Sequence, residues 1–240
     1  PQEISPLPEF FHNASQVAHK ETRYPALEQI HQNTSELIRP GHPVPDMISH
    51  LGPRPDSWQT IPEPDPWPEK MNYPDAVIRR RSRRNFVKTR LPKACFQALL
   101  TLVCQSGDLP GKIQEDSVCM GFVSGNNVEG LEPGCYLVNR SDQSVALIKS
   151  GSFMDNIAHI CLNQEWLALA SVHFFFAANL EILDQTMGPR AYRYAMITAG
   201  QLAQRIYLGA TAMELGCCGI GAFYDKEASA LLELNDESAM

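Results

Sequence analysis

The sequence lacks the long apolar run that a membrane-spanning helix needs. None of its 240 residues falls in an apolar stretch approaching the roughly 20 residues that cross a bilayer, and nothing at the start of the sequence resembles a signal peptide. The sequence also lacks the cysteine patterns of disulfide frameworks and metal sites. Its seven cysteines are odd in number, and their spacing does not match that of metal ligands. These absences predict a cytoplasmic protein with reduced thiols, no membrane partner and no metal.

Two further absences reduce the number of possible function classes. No glycine-rich fingerprint follows a predicted strand, which argues against a nicotinamide site of Rossmann type. Basic residues are not in excess, since 20 Lys and Arg face 27 Asp and Glu for a net charge of −7. Such a surface repels phosphate backbones, so no nucleic-acid partner is expected. The length and the 44% hydrophobic content allow one substantial core with an appendage.

Proline is plentiful only at the beginning of the sequence. Residues 1–75 hold 14 of the 18 prolines, and all seven cysteines follow them. Proline interrupts both helices and central strands, so residues 1–70 are predicted to form a Pro-rich extended arm with a short helix over 26–34. Residues 71–240 are predicted to form the main domain. Four aromatic residues could dock the arm on it, namely Phe10, Phe11, Trp58 and Trp67.

The apolar periodicity after residue 70 mixes helices and strands. It predicts helices over 73–78, 93–104, 153–169 and 190–215, and strands over 118–123, 135–138, 145–148 and 171–178. The fold class is therefore α+β, with a mixed, mostly antiparallel sheet flanked by helices.

The helix over 190–215 is predicted to be the longest. Its buried stripe is expected to include Met196 and Ile197, and Gly216 is expected to cap its C-terminal end. Gly200 and Gly209 lie inside it at a cost of about 1 kcal/mol each relative to Ala, which predicts close approach by another helix, such as one across a dimer interface.

The run RRRSRR at 79–84 places five guanidinium groups around one hydroxyl in an acidic protein. Guanidinium groups pair bidentately with phosphate oxygens, so the run predicts a site for a phosphorylated small molecule. A second interpretation stays open. Arginines at the C-terminal end of a helix over 73–78 are favoured by the helix dipole without any ligand.

The pattern Arg80-Arg81-Ser82-x-Arg84-x-Phe86 resembles the signature with which nitroreductase-like flavoproteins hold the phosphate and ribityl chain of FMN. Two later segments, 128–136 and 192–223, resemble the SagB/McbC-type branch, which includes azoline dehydrogenases. Together the matches cover most of residues 76–235. The resemblance implies a nitroreductase-like fold, FMN as cofactor, and cofactor contacts from seven residues: Arg80, Arg81, Ser82, Arg84, Gly219, Ile220 and Gly221.

The glycine-containing stretch at 219–221 also has an interpretation that involves no ligand. Glycines are common where helices end, so the stretch alone is also typical of a plain helix-exit turn. Cys217-Cys218 lacks the CxxC spacing of thiol oxidoreductases and is expected to be unreactive. His173, among aromatic neighbours, is expected to be a hydrogen-bonded strand residue rather than a base.

The sequence departs from the SagB/McbC-type pattern in three places. The branch carries a Lys-Tyr pair where this chain has Thr186-Met187, so the catalytic residue is unknown. The nearest ionisable candidates are Arg190, Tyr192, Arg193 and Tyr194. The loop near 109–112 scarcely matches the branch's glycine-rich FMN contact. The chain also stops soon after residue 235, where relatives continue into a further strand, which implies a fragment or one half of a tandem protein.

Two functions of different class follow from these observations. The first is an FMN-dependent oxidoreductase that oxidises a small or peptide-derived substrate by hydride transfer to flavin N5. The second is a degenerate, non-catalytic flavin-fold module that serves as a structural or substrate-binding partner of an oxidising subunit or sister domain. The resemblance further implies a homodimer or a tandem sister domain.

Overall fold

A computed structural model describes residues 22–35, 46–105 and 117–240. The chain divides into two compact units, residues 1–37 and 38–240. In the first unit, helix α1 (Pro25–Asn33) has a proline in its first turn, where the missing N–H costs nothing, and buries no side chain. The short helix predicted over 26–34 is confirmed.

The second unit alternates helices and short strands. In chain order its elements are β1 (Gln59–Thr60), α2 (Tyr73–Arg79), α3 (Lys93–Cys104), β2 (Cys119–Ser124), β3 (Gly134–Asn139), β4 (Ser144–Ser150), α4 (Met154–Ile160), β5 (Val172–Asn179), α5 (Leu180–Met187), α6 (Ala191–Ala212), α7 (Asp225–Leu231) and β6 (Ser238–Ala239).

The strands of the described residues form one sheet in the order β1-β4-β3-β2-β5-β6, and every neighbouring pair is antiparallel. Phe122 of the central strand β2 faces Tyr136 on one side and Phe174 on the other. Its ring stacks on Tyr136 at 4.8 Å between centroids, which adds an aromatic pair to the burial of the strands. The predicted α+β class is confirmed.

Side chains alternate between the two faces of the sheet along β2 and β3, so each strand contributes to two hydrophobic cores, one on each face. Val123 and Leu137 belong to the core covered by α4, α5 and the first half of α6. Met120 and Val138 belong to the core covered by α3 and the second half of α6. Helix α6 therefore borders both cores, which fixes it firmly in the molecule.

Residues 46–70 lie in the segment predicted to be an arm. Met47 and Leu51 are fully buried in the first of the two cores, and β1 pairs with β4. Trp58 is 39% exposed. Phe10 and Phe11 lie outside the described residues. The division of the chain at residue 70 stays a prediction.

Two helix predictions need correction. The helix predicted over 153–169 ends at Ile160, because Leu162 and Asn163 adopt left-handed backbone conformations with φ of 63° and 58°, and a 3-10 helix (Glu165–Leu169) follows. Met196 and Ile197 of α6 are not part of a buried stripe, since they are 56% and 43% exposed. The buried positions follow i+3 and i+4 spacing along a different line: Ala191, Ala195, Thr198, Leu202, Ile206, Gly209 and Ala210.

The end of α6 also differs from the prediction that Gly216 caps it. The helix stops at Ala212, and Glu214 takes the left-handed position with φ of 61°. The N–H of Leu215 donates to the carbonyl of Ala210 at 2.8 Å, and that of Glu214 to Thr211 at 3.1 Å. These two bonds form a Schellman motif with a non-glycine residue at the left-handed position.

Candidate active site

The arginine segment (residues 79–84) leaves the end of α2 as an extended chain. The helix is capped at its start by Asn72, whose side chain accepts the N–H of Asp75 at 3.0 Å, and it stops at Arg79. Arg80 then turns to an extended backbone with ψ of 122°. Ser82 forms a parallel bridge with Cys217, and the N–H of Arg83 donates to the Cys217 carbonyl at 2.9 Å. The segment thus runs beside the glycine loop (residues 217–221).

A cleft of about 1210 Å³ opens next to both stretches. Its lining includes Arg79, Arg81, Arg83 and the consecutive residues 85–87 on one side, and Gly219, Ile220 and Gly221 of the glycine loop. The lining includes none of Arg80, Ser82 and Arg84. Of the four predicted residues in the arginine segment, only Arg81 therefore lines the same cleft as the three predicted residues of the glycine loop.

Arg81 is exposed and holds the end of α2 at the same time. Its Nη1 donates to the carbonyl of Ile78 at 3.0 Å and to that of Arg80 at 2.7 Å. This is the helix-end contact that the ligand-free interpretation of the run expects. It uses one nitrogen of one arginine, so it explains a small part of the cluster.

The arginine segment carries unneutralised charge. Among the described residues, none of the carboxylates lies within 4.0 Å of the guanidinium groups at 79–84. Arg84 is exposed. Five cations held together without acidic partners repel one another, which a phosphate group placed among them would relieve.

Tyr207 of α6 joins the arginine segment to the glycine loop. Its hydroxyl lies 3.0 Å from the hydroxyl of Ser82 and accepts the N–H of Gly219. The guanidinium carbon of Arg80 lies 5.4 Å from the centre of the same ring, within range of a cation–π interaction. The structure therefore brings Arg80, Ser82 and Gly219 together around one side chain.

Sequence reasoning missed Tyr207. The signal that could have found it is its position on α6, four residues after Ala203 and three before Ala210, which places a polar-tipped aromatic on the inward side of the helix.

Backbone conformation does not require glycine at positions 219 and 221. Neither Gly219 nor Gly221 has a positive φ, and the left-handed residue after α6 is Glu214. A Cβ on Gly219 would lie 3.4 Å from the Tyr207 hydroxyl, an ordinary contact, whereas a Cβ on Gly221 would have no atom of the described residues within 4 Å. The interpretation of the loop as a plain helix-exit turn, with glycine there for its backbone freedom, is therefore not supported.

The N–H groups of the loop differ in what they bind. That of Gly219 donates to Tyr207. In the described part of the chain, the N–H groups of Ile220 and Gly221 have no acceptor, while the Ile220 side chain packs against the first core. Two free donors beside open space suit a planar ligand with oxygen or nitrogen acceptors.

The pair Thr186-Met187 offers no acid–base group. The Thr186 hydroxyl donates to the carbonyl of Ile182 within its own helix, and Met187 is 1% exposed in the core. Among the other candidates, Tyr192 is 61% exposed at the cleft, and Arg190 lies 5.7 Å from the centre of the Tyr194 ring. The catalytic residue remains unassigned.

Burial suppresses the ionisation of two groups in the cleft wall. It raises the pKa of the Cys217 thiol to about 11, so this cysteine stays protonated near neutral pH, in line with an unreactive thiol. Burial lowers the pKa of His173 to about 4, and its Nε2 bonds the Leu167 carbonyl at 3.0 Å. The expectation that His173 is a hydrogen-bonded strand residue is confirmed.

Searching the described ranges finds no group of three or more His, Cys, Asp or Glu side chains placed to hold a metal ion. None of the helices described here is long and apolar enough to cross a membrane. The loop near 109–112, whose sequence departs from the flavoprotein pattern, lies outside the described residues.

The model of the nitroreductase family matches residues 133–240. The match covers less than half of the chain, and over that range the chain is similar to the nitroreductase family. The matched range includes Tyr207 and the glycine loop but not the arginine segment. The finer resemblance to the SagB/McbC-type branch is not established by it.

Individual proteins of similar sequence or fold carry the same family name. Over 173 residues the chain is 28% identical to a Methanocaldococcus jannaschii protein named "Putative nitroreductase", covering 70% of this chain and 87% of that protein. The crystal structure of a "putative nitroreductase" from Anabaena variabilis superposes with a TM-score of 0.67 at 26% identity over 76% of this chain, which spans only 39% of that longer chain. A chain of the Escherichia coli microcin synthetase McbBCD complex with truncated pro-MccB17 bound shares the fold alone, with a TM-score of 0.55 at 15% identity over 95% of this chain and 82% of that one.

Proposed function

We propose that this protein is an FMN-dependent oxidoreductase of the SagB/McbC type that oxidises a small or peptide-derived substrate. The observation that carries the proposal is that the arginine segment and the glycine loop run side by side along one cleft; within the described residues, the arginines have no carboxylate partner and two N–H groups of the loop have no acceptor. The family match supports the reaction class, since nitroreductase-family proteins are redox enzymes.

The residues fit FMN at both ends of the molecule. Arg81, which lines the cleft, would neutralise the terminal phosphate, and the resemblance assigns Arg80, Ser82 and Arg84, which are not part of the cleft lining, to the same phosphate and ribityl chain. Ile220 and Gly221 would offer their N–H groups to the ring, which the lack of a side chain at Gly221 allows to approach.

FMN held by these residues would supply the redox chemistry, namely hydride acceptance at N5, with O₂ or a quinone-like acceptor for its reoxidation. The protein's part is to bind, orient and shield the reactants. Tyr192, an exposed phenol in the cleft lining, is the candidate for holding or moving the proton that the substrate loses.

The working unit that we propose is a cytoplasmic homodimer or a tandem with a sister domain. Large apolar side chains stay exposed on α2 and α6, the two helices that flank the arginine segment: Tyr73 at 71%, Ile78 at 69%, Tyr192 at 61% and Met196 at 56%. Covering them requires a second surface of similar character.

The first experiment is an FMN titration of the purified chain, monitored by absorbance near 450 nm and by flavin fluorescence. We expect one FMN per chain, and on the order of tenfold weaker binding for each of Arg81→Ala and Arg84→Ala. Arg23→Ala, an exposed arginine in the first unit, is the matched control and should leave the affinity unchanged. A wild-type chain that takes up no FMN would refute the proposal.

A second candidate is the degenerate module, in which the fold serves an oxidising partner without turnover of its own. The observation that favours it is the pair Thr186-Met187, which presents no acid–base group where the SagB/McbC-type branch has one. Anaerobic mixing of the FMN-loaded chain with a thiazoline-containing peptide separates the two. Bleaching near 450 nm indicates an enzyme, and unchanged colour with retained peptide binding indicates the module.

A further inference from the structure

Tyr207 contacts three groups that sequence reasoning assigned to the cofactor site. Its hydroxyl is shared between Ser82 and the N–H of Gly219, and its ring lies under the guanidinium of Arg80. A phenol hydroxyl has one proton and two lone pairs, so it can serve both partners at once.

The helix that carries Tyr207 is held in place on both sides of it. Arg205 Nη1 donates to the Gln105 carbonyl at the end of α3 at 2.6 Å. A Cβ on Gly209 would lie 2.6 Å from Leu102 and 3.3 Å from Leu99, which shows how closely α3 packs there. The phenol is therefore projected from a rigid support.

The two segments that Tyr207 connects are weakly fixed by comparison. The arginine segment and the glycine loop lie outside helices and strands, and their direct link is the short bridge between Ser82 and Cys217. Without the phenol, the loop beyond Cys217 would lose its hydrogen bond to the body of the domain at Gly219.

We infer that Tyr207 is a positioning residue, which sets the spacing between the arginine segment and the glycine loop by holding Ser82 and the Gly219 N–H from α6. The inference rests on the proposed function, in which these segments hold the two ends of FMN. Gly219 thereby gives its donor to the protein, and the donors left for the ligand are those of Ile220 and Gly221.

The decisive variant is Tyr207→Phe, which removes the hydroxyl and keeps the ring against Arg80. Amide hydrogen exchange at Gly219, measured in the flavin-free chain, should become about tenfold faster, because its only acceptor among the described residues is lost. The exchange of β2 amides should not change. FMN should bind about tenfold more weakly, and the bound flavin should show an altered visible spectrum.

Two controls make the result specific. Tyr24→Phe removes the hydroxyl of a 59% exposed tyrosine in the first unit and should change neither readout. Ser82→Ala should weaken FMN binding and leave Gly219 exchange slow, since the bond between Tyr207 and Gly219 survives.

Unchanged Gly219 exchange in Tyr207→Phe would overturn the inference, and so would tighter FMN binding, which would mark the phenol as an obstacle. If the wild-type chain binds no FMN, the proposed function fails, while the exchange experiment on the flavin-free chain still decides whether Tyr207 holds the loop.

Discussion

His173 lies half-buried on β5 at the wall of the cleft, where the imidazole is bonded to the Leu167 carbonyl. Burial disfavours the imidazolium and lowers the pKa from 6.5 to about 4. In the unfolded chain the ring binds a proton from pH 6.5 downward, whereas in the folded chain it stays neutral. The folded state is therefore favoured above pH 6.5 and loses this advantage as the pH falls toward 4.

We predict that His173→Gln, which keeps a side-chain donor, reduces the acid sensitivity of the fold. The wild-type free energy of unfolding should drop between pH 6.5 and 4 by up to about 3 kcal/mol more than that of the variant, as urea denaturation at both pH values would reveal. His159→Gln is the comparison variant, because His159 sits exposed beside Glu227. Parallel pH curves for wild type and His173→Gln would contradict the prediction.

For individual helices and strands, the sequence predicts best the features that depend on residues only a few positions apart. The helix over 93–104 and the hairpin around residues 140–143 form as predicted, because apolar periodicity and turn residues act within a few positions. The same rules failed for Gly216, since the left-handed turn after α6 falls on Glu214. Tertiary packing determines where that helix ends, and no short-range sequence pattern indicates this position.

The candidate site was likewise predictable only in part from the sequence. The arginine segment and the glycine loop were visible as motifs, and they lie side by side in the structure. Which side chains face the cleft was not visible, because it depends on how the extended chain leaves α2. Tyr207 was missed for a related reason: its partners lie 125 and 12 residues away along the chain.

The two glycines inside α6 lie in contrasting surroundings. A Cβ on Gly209 would lie 2.6 Å from a Leu102 methyl group, which confirms a close helix at that position, namely α3. A Cβ on Gly200 would meet nothing within 4 Å among the described residues. Packing within the described ranges therefore gives no reason for glycine at position 200.

We therefore predict opposite effects for two alanine substitutions. Gly200→Ala should raise the free energy of unfolding by about 1 kcal/mol, because alanine favours the helix. Gly209→Ala should lower the free energy of unfolding by about 1–3 kcal/mol relative to the wild type, since Leu102 must move. Chemical denaturation at two protein concentrations provides the measurement. A concentration-dependent loss of stability in Gly200→Ala would overturn the first expectation and indicate a partner packed on that position.

For the whole molecule, the notable electrostatic property is the contrast between a net charge of −7 and a local cluster of five arginines. The overall charge repels a phosphate dianion at long range, and the arginine segment attracts it at short range. Salt screens both, but the close, direct attraction dominates the bound state.

We predict that FMN affinity falls on the order of tenfold between about 0.05 M and about 0.5 M NaCl, whereas riboflavin, which lacks the phosphate, shows almost no salt dependence. Fluorescence titrations of the two flavins at matched ionic strength provide the test. Equal salt dependence of both ligands would show that the arginine segment does not hold the phosphate.

The chain from Ser82 to Leu91 is held at its two ends by backbone bridges to Cys217 and Val128. Between these bridges most of the side chains line the cleft, namely Arg83, Asn85, Phe86, Val87, Thr89 and Arg90. Because both ends are fixed, adding or removing a residue there would displace this whole part of the cleft wall. The stretch is therefore expected to tolerate substitutions more readily than changes of length.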